Sequence, residues 1–261
     1  MIRMRSFWLV CLLCVLFLPG CLLGTTYKQK KRARSLLKLG IHESNQGQFR
    51  RALAILIQAE QADDQNYWVQ EALGGTYMRM GQFEHALTHF RRALKISPRS
   101  PRGWNNLGSA YMALRRWKMA VNTLQKAVDN LLYQTPCIAL ANLGWAYQKI
   151  KKPQQALKYL ARTLKECPRL CQGHRMLGKV YYAQKKLEQA RQSFYRYTLY
   201  CKKFPEGFFL LANTELQLKR YRDAVRTSRQ CLKLTEEKPA QKRACYSIFK
   251  KAQTKVASYV P

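Results

Sequence analysis

Six cysteines in the second half of the chain, Cys137, Cys167, Cys171, Cys201, Cys231 and Cys245, are the residues best placed to do covalent chemistry. An even set of thiols has two ordinary uses: oxidation in pairs to disulfides, or ligation of a soft metal. Cys167-x3-Cys171-x2-His174 could form part of a zinc site, but no fourth ligand stands out, and an oxidising compartment favours disulfides. His85 and His89 stand four apart on a helical pattern and could share a metal, although separate surface histidines are the commoner outcome. No Ser-His-Asp arrangement, glycine-rich phosphate loop or paired carboxylate motif is present, and Gly74-Gly75 is not a nucleotide loop. The expectation is therefore a non-enzyme with no metal, no cofactor and no small-molecule substrate.

The compartment is read from the N-terminus. Phe7–Leu18 is an apolar run too short to span a bilayer, preceded by Arg3 and Arg5 and followed by turn-forming residues, the anatomy of a secretory signal peptide. Its close, Leu18-Pro19-Gly20-Cys21, resembles a bacterial lipobox, with Pro19 where a small residue is usual. That resemblance implies cleavage after Gly20 and a lipid anchor on Cys21, palmitate among its acyl chains. The competing reading is an ordinary signal peptide cut near Gly20, with Cys21 a plain thiol. Leu22, rather than Asp, follows the cysteine; by the same resemblance this implies sorting to the outer membrane, with the mature chain on its periplasmic face. The stretch Lys28-Gln29-Lys30-Lys31-Arg32 is read as a basic tether that would be attracted to anionic headgroups nearby, with a solvated linker the favoured reading.

Lys and Arg number 47 against 14 acidic residues, a formal charge of +33 over 261 residues. Such a surplus favours acidic partners, among them nucleic acid, anionic lipid or teichoic-type polymer, or an acidic protein face. The basic residues run through every part of the chain instead of gathering in one patch. Nucleic acid is accordingly not an expected partner.

The elements that must position these residues are set by a repeat. Gly40, Gly74, Gly108, Gly144 and Gly178 recur at about 34 residues, each preceded by leucine (Leu39, Leu73, Leu107, Leu143, Leu177). Four are followed three residues on by Tyr77, Tyr111, Tyr147 or Tyr181, and all by alanine twelve residues on: Ala52, Ala86, Ala120, Ala156 and Ala190. Leu56, Phe90, Leu124, Leu160 and Phe194 follow, and Pro98 and Pro168 close two units. Small residues let two helices of a hairpin approach, the large ones form a buried stripe, and proline stops the chain before the next unit. This pattern resembles the tetratricopeptide repeat. The expected fold is all-α: a right-handed α-solenoid of six such helix hairpins with a C-terminal capping helix.

The expected boundaries are a leader at 1–20, the lipidated cysteine and tether at 21–32, and repeats at 33–66, 67–100, 101–134, 137–170, 171–204 and 205–238. A capping helix and tail occupy 239–261, and Thr135-Pro136 is an insertion. The first repeat has Glu43 at the tyrosine position; the sixth has Ala212 for glycine but keeps Ala224. In this register Cys137 and Cys171 start a repeat, while Cys167 and Cys201 stand near the end of one. An antiparallel hairpin brings those places together, which points to Cys137–Cys167 and Cys171–Cys201 as equivalent staples, with Cys231–Cys245 fastening the cap. The rival is a local Cys167–Cys171 bond, which leaves Cys137 and Cys201 too far apart to pair readily. By repeat position, a partner-binding groove should include Trp68, Met78, Arg102, Met112, Trp145, Lys149, Arg175, Tyr182 and Phe209. The alternative is that several of these aromatics pack between helices.

Together the lipobox, the six repeats and the length resemble the PilW/PilF/Tgl family of type IV pilus biogenesis lipoproteins. The most particular stretches are Ala141-Asn142-Leu143-Gly144-Trp145-Ala146-Tyr147 and Cys167-Pro168-Arg169-Leu170-Cys171-Gln172-Gly173-His174. The latter, with Phe204-Pro205-Glu206-Gly207, is similar to cysteine-bearing members. The resemblance implies a pilotin: a membrane-anchored scaffold, acting by protein–protein interaction, that helps secretin subunits localise and assemble. The alternative is a periplasmic adaptor of another envelope machine, serving outer-membrane protein assembly or peptidoglycan enzymes.

Overall fold

The computed structural model describes residues 26–258 except 132 and 135. The expected leader 1–20, Cys11, Cys14, the expected lipidation site Cys21, Leu22 and Thr135 of the expected insertion lie outside the described residues. Thirteen α-helices and no strand are present among the described residues. They form two compact units that divide at Pro98.

The first unit holds α1 (Tyr27–Asn45), α2 (Phe49–Ala62), α3 (Tyr67–Arg79) and α4 (Phe83–Ile96). Helices α1 with α2 and α3 with α4 form hairpins, and α3 packs against both helices of the first hairpin. Leu56, Ala59, Val69 and Leu73 make its core, flanked by Leu36, Leu37, Leu53 and Tyr77. The expected tether is corrected here: residues 27–32 are the opening turns of α1. Thr26 accepts a hydrogen bond from the Gln29 backbone N–H, and the Gln29 side chain accepts one from the Thr26 N–H. This reciprocal cap starts a helix in a stretch of good helix formers.

The second unit holds α5 (Pro101–Ala113), α6 (Trp117–Val128), α7 (Cys137–Lys149), α8 (Pro153–Glu166), α9 (Cys171–Ala183), α10 (Leu187–Tyr200), α11 (Pro205–Gln217), α12 (Tyr221–Lys233) and α13 (Pro239–Ala257). Four successive hairpins stack, and α13 packs on α12 and α11. Helix starts follow the sequence: Asn66 and Ser100 cap α3 and α5 through their side chains, while Pro101, Pro153, Pro205 and Pro239 open their helices. Proline is tolerated there because the first turn has no intrahelical partner for its missing N–H.

Within the first five hairpins the two axes approach where glycine meets a large side chain. A Cβ on Gly74 would lie 2.5 Å from Phe90, one on Gly108 2.5 Å from Leu124, and one on Gly144 2.7 Å from Leu160. Ala52, Ala86, Ala120, Ala156, Ala190 and Ala224 are all fully buried at the second contact. The helix-to-helix turn is the same in all six repeats. Gly47, Gly81, Arg115, Lys151, Lys185 and Lys219 each take a positive φ, between 56° and 79°. The next residue then donates its N–H to a carbonyl one turn back, as in Arg116 N to Tyr111 O at 2.9 Å. Only the first two repeats place glycine, the residue best suited to that conformation, there.

Three disulfides join α7 to the end of α8 (Cys137–Cys167), α9 to the end of α10 (Cys171–Cys201), and α12 to α13 (Cys231–Cys245). Their Cα separations are 6.2, 6.1 and 5.9 Å. His174 lies one turn inside α9 and its Nε2 pairs with the Pro168 carbonyl at 2.7 Å, its ring tilted on Tyr200. It is a buried core histidine, and burial holds its imidazole below the ordinary value.

Candidate partner-binding surface

The nine expected groove residues divide between the units. Trp68 and Met78 are on α3 of the first; the other seven are in the second. Trp68 is 54% exposed, the largest side chain open to solvent on α3, and meets Tyr67 edge-on at 5.0 Å. Behind it the first unit uses its polar groups internally. Arg79 donates to Ser44 Oγ at 2.7 Å, and Ser44 pairs with Thr76 at 3.1 Å. His85 and His89 both stack on Tyr77, and His89 Nδ1 pairs with Gln70 Oε1 at 2.9 Å. Gln70 Nε2 donates to Glu60 Oε1, which also takes Arg92, so Gln70 offers its oxygen and His89 carries the Nδ1 proton. The two histidines are thus framework, and burial lowers the His89 imidazole.

In the second unit the first helices of successive repeats are tied edge to edge by polar groups. Asn142 of α7 donates to Asn105 and Ser109 of α5 at 3.4 and 3.2 Å, and accepts from Gln172 of α9 at 2.6 Å. Arg175 and Lys179 of α9 reach Glu206 of α11 at 3.1 and 2.7 Å, and Asn213 of α11 donates to the Tyr182 hydroxyl at 2.9 Å. Burial would raise the Glu206 carboxyl; the Lys179 hydrogen bond and the Arg175 and Lys179 charges outweigh it and hold the group below its ordinary value.

Around this ladder the predicted residues play different parts. Lys149 Nζ lies over Trp145 at 4.7 Å and near Trp117 at 5.8 Å, a cation bracketed by aromatic faces. Trp145 also packs on the core of Ala141, Leu160, Met176 and Val180, and Tyr182 on that of Phe194 and Leu211. For these two the inter-helix alternative holds in part: one edge serves the core and the other stays open. Arg102 is exposed and Met112 half-buried on α5. Phe209 lines a 410 Å³ cleft with Pro205, Glu206, Ala240 and Ala244, floored by Cys231 and Cys245. Sequence reasoning missed Lys179, Glu206 and Asn213, although they follow Arg175 and Phe209 along the same helix faces and the same positional rule reaches them. It could not reach Ala240 and Ala244, because α13 lies outside the repeat.

The arrangement suits binding: aromatic faces, half-exposed cations, one neutralised carboxylate and an apolar cleft fit a protein segment. Hairpin stack and surface define a tetratricopeptide-repeat protein. Models described as TPR repeat or tetratricopeptide repeat match residues 74–115, 104–135 and 141–207.

Within that class the chain is similar to the type IV pilus assembly protein PilF of Pseudomonas aeruginosa, at 27% identity over 141 residues, 54% of this chain and 56% of that one. It is also 26% identical to BBSome complex member BBS4 of Mus musculus over 123 residues, 47% of this chain and 23% of the mouse protein. The chain thus spans about a quarter of one curated relative and just over half of the other. The solved P. aeruginosa PilF superposes with a TM-score of 0.69 at 19% identity, covering 84% of this chain and 99% of that one. The structure of PilW, a type IV pilus biogenesis factor, superposes with a TM-score of 0.74 at 22% identity, covering 81% and 96%. At these identities the superpositions speak for the fold.

Proposed function

We propose that this protein is a scaffold of type IV pilus biogenesis, a pilotin that holds secretin subunits during localisation and assembly. The observation that carries the reading is the sequence similarity to PilF, which reaches beyond a single repeat, with a fold likeness that runs nearly the whole length of PilF and PilW. The function is binding without chemistry. The surface of α7, α9 and α11 that carries Lys149, Arg175, Tyr182 and Phe209 takes the partner segment, and Trp68 and Met78 offer a further contact on the first unit. A lipid on Cys21 holds the protein at the periplasmic face of the outer membrane, and more than one acyl chain makes that attachment stable.

The test is the state of the secretin in a deletion strain, read on gels of unboiled membrane fractions. Deletion should abolish the heat-resistant multimer; the wild-type gene should restore it and Cys21→Ala should not. An unchanged multimer on deletion would exclude the pilotin role, and restoration by Cys21→Ala would detach that role from the lipid.

A further inference from the structure

The outward side of α1 is strongly basic. Lys28, Lys30, Lys31, Arg32, Arg34 and Lys38 are six basic residues in the opening turns, and no acidic residue occurs in the helix before Glu43. Residues 27–32 are exposed on every side, and Ala33 is the first buried one. Ala33, Leu36, Leu37 and Gly40 form the inner face. On the helical period Tyr27, Lys30, Lys31, Arg34, Lys38 and Ile41 then share a single stripe on its flank, roughly 120° around the axis from it. Tyr27 at one end of the stripe is 81% exposed and Ile41 at the other 42%. Elsewhere, Arg92, Arg162, Arg175, Lys179, Arg191 and Arg226 are engaged by carboxylates. The six basic side chains of α1 have no ion pair or side-chain hydrogen bond among the described residues.

Their placement also opposes local stability. Cations in the first turn face the positive end of the helix dipole, and like charges three and four apart repel. The capping box of Thr26 and Gln29 offsets this without removing it. A stripe that works against its own helix, is left unpaired, and ends in an exposed aromatic has the chemistry of a surface that meets phosphate-bearing headgroups.

We infer that this stripe docks on an anionic phospholipid bilayer, laying α1 against the membrane. The location rests on the anchor reading above: five residues lie between Cys21 and Tyr27, so the helix start is no farther than about 20 Å from an acylated cysteine, whatever path the link takes. The chemistry rests on the stripe alone. A basic surface beside a lipid supplies the second attachment that makes anchoring persistent.

The test uses the chain from Leu22 onward, which keeps every described residue and no acyl chain. It is sedimented with vesicles of phosphatidylglycerol and phosphatidylcholine in a 3:7 ratio (a mixture chosen to be about one-third anionic) at physiological salt. Lys30, Lys31, Arg34 and Lys38 are changed together to Gln. A charge-matched control changes the exposed Lys118, Lys165, Lys202 and Lys233 to Gln, and thermal melts establish that both variants fold. The α1 variant should lose vesicle binding at least tenfold and the control less than about threefold, with no binding to phosphatidylcholine alone. Equal losses in the two variants would reduce the effect to net charge and overturn the inference, as would absent wild-type binding. So would a single-stranded oligonucleotide bound more tightly than the vesicles through the same four residues. Failure of Cys21 to incorporate palmitate in cells would instead overturn the anchor reading, leaving the vesicle result to stand by itself.

Discussion

Lys179 Nζ lies 2.7 Å from Glu206 Oε1, joining the first helices of the fifth and sixth repeats across the candidate binding surface. Arg175 shares the same carboxylate at 3.1 Å, so an internal acid occupies the place where an acidic partner group would be received.

Glu206→Gln should therefore raise affinity for an acidic peptide several-fold, while Glu206→Gln with Lys179→Ala should reverse the gain. Stability should change by less than about 1 kcal/mol, because both cations and the acid are partly open to solvent. The folded-state carboxyl is depressed, so its contribution is present above the ordinary carboxylate range and lost as pH falls through the lowered value. Peptide titration by calorimetry, with urea melts of each variant, checks both statements; unchanged peptide affinity in Glu206→Gln would rule out an occupied acid site.

Two neighbouring glycines should respond in opposite directions to the same substitution. A Cβ on Gly74 meets the Phe90 ring at 2.5 Å, whereas one on Gly75 meets nothing within 4 Å. Gly74→Ala should destabilise by about 1–3 kcal/mol through overpacking. Gly75→Ala should stabilise by about 0.5–1 kcal/mol through helix propensity. Urea denaturation of the pair checks the sign as well as the size.

The disulfide staples each close a loop of chain in the unfolded state. Replacing Cys137 and Cys167 together by Ala should cost about 3–4 kcal/mol, and Cys231 with Cys245 somewhat less, since the sequence separations are 30 and 14. Melts of the paired variants beside the oxidised protein check the order. A larger loss from the shorter loop would show that packing of α13, not chain entropy, governs the second bond.

Glu215 stands where four other repeats carry tyrosine; it is buried, and its Oε2 finds no hydrogen-bond partner. Burial pushes its carboxyl up and the Asp223 charge adds to this, against the Thr227 hydrogen bond and the Arg191 and Arg226 charges. The native state thus holds this proton more tightly than the unfolded chain does. Its effect is absent in acid, below the ordinary 4.5, and destabilising as pH rises through the raised native value. Glu215→Gln should gain about 1 kcal/mol at pH 8 and nothing at pH 4. A gain of the same size at both pH values would assign the effect to packing.

The hairpins were legible because the constraint that makes them is steric and recurs: Gly74 must face Phe90, and Gly108 must face Leu124, wherever two axes come close. The turn between the helices of a repeat was not legible. Its left-handed residue is Gly47 or Gly81 early on but Arg115, Lys151, Lys185 or Lys219 later, so no shared residue type marks it. Glu43 and Glu215 both stand at the tyrosine position, and only the structure tells them apart: Glu43 pairs with Arg51 at 3.7 Å, whereas Glu215 is buried with its Oε2 unpartnered. The opening of α1 was misjudged because its charge pattern suits a solvated linker as well as a helix. The Thr26–Gln29 cap decides between them.

What the sequence by itself determined is whatever depends on residues at a constant spacing: an all-helical repeat, the face of each helix that turns inward, and the cysteines that fall at hairpin ends. What only the tertiary structure decided is whatever depends on two residues meeting from different repeats. Glu206 neutralising Arg175 and Lys179, Asn142 bridging Asn105 to Gln172, and α13 closing a cleft over Phe209 belong to that kind. The reason is physical: spacing along one helix fixes direction, but pairing across helices depends on their separation and rotation, which the packed core sets.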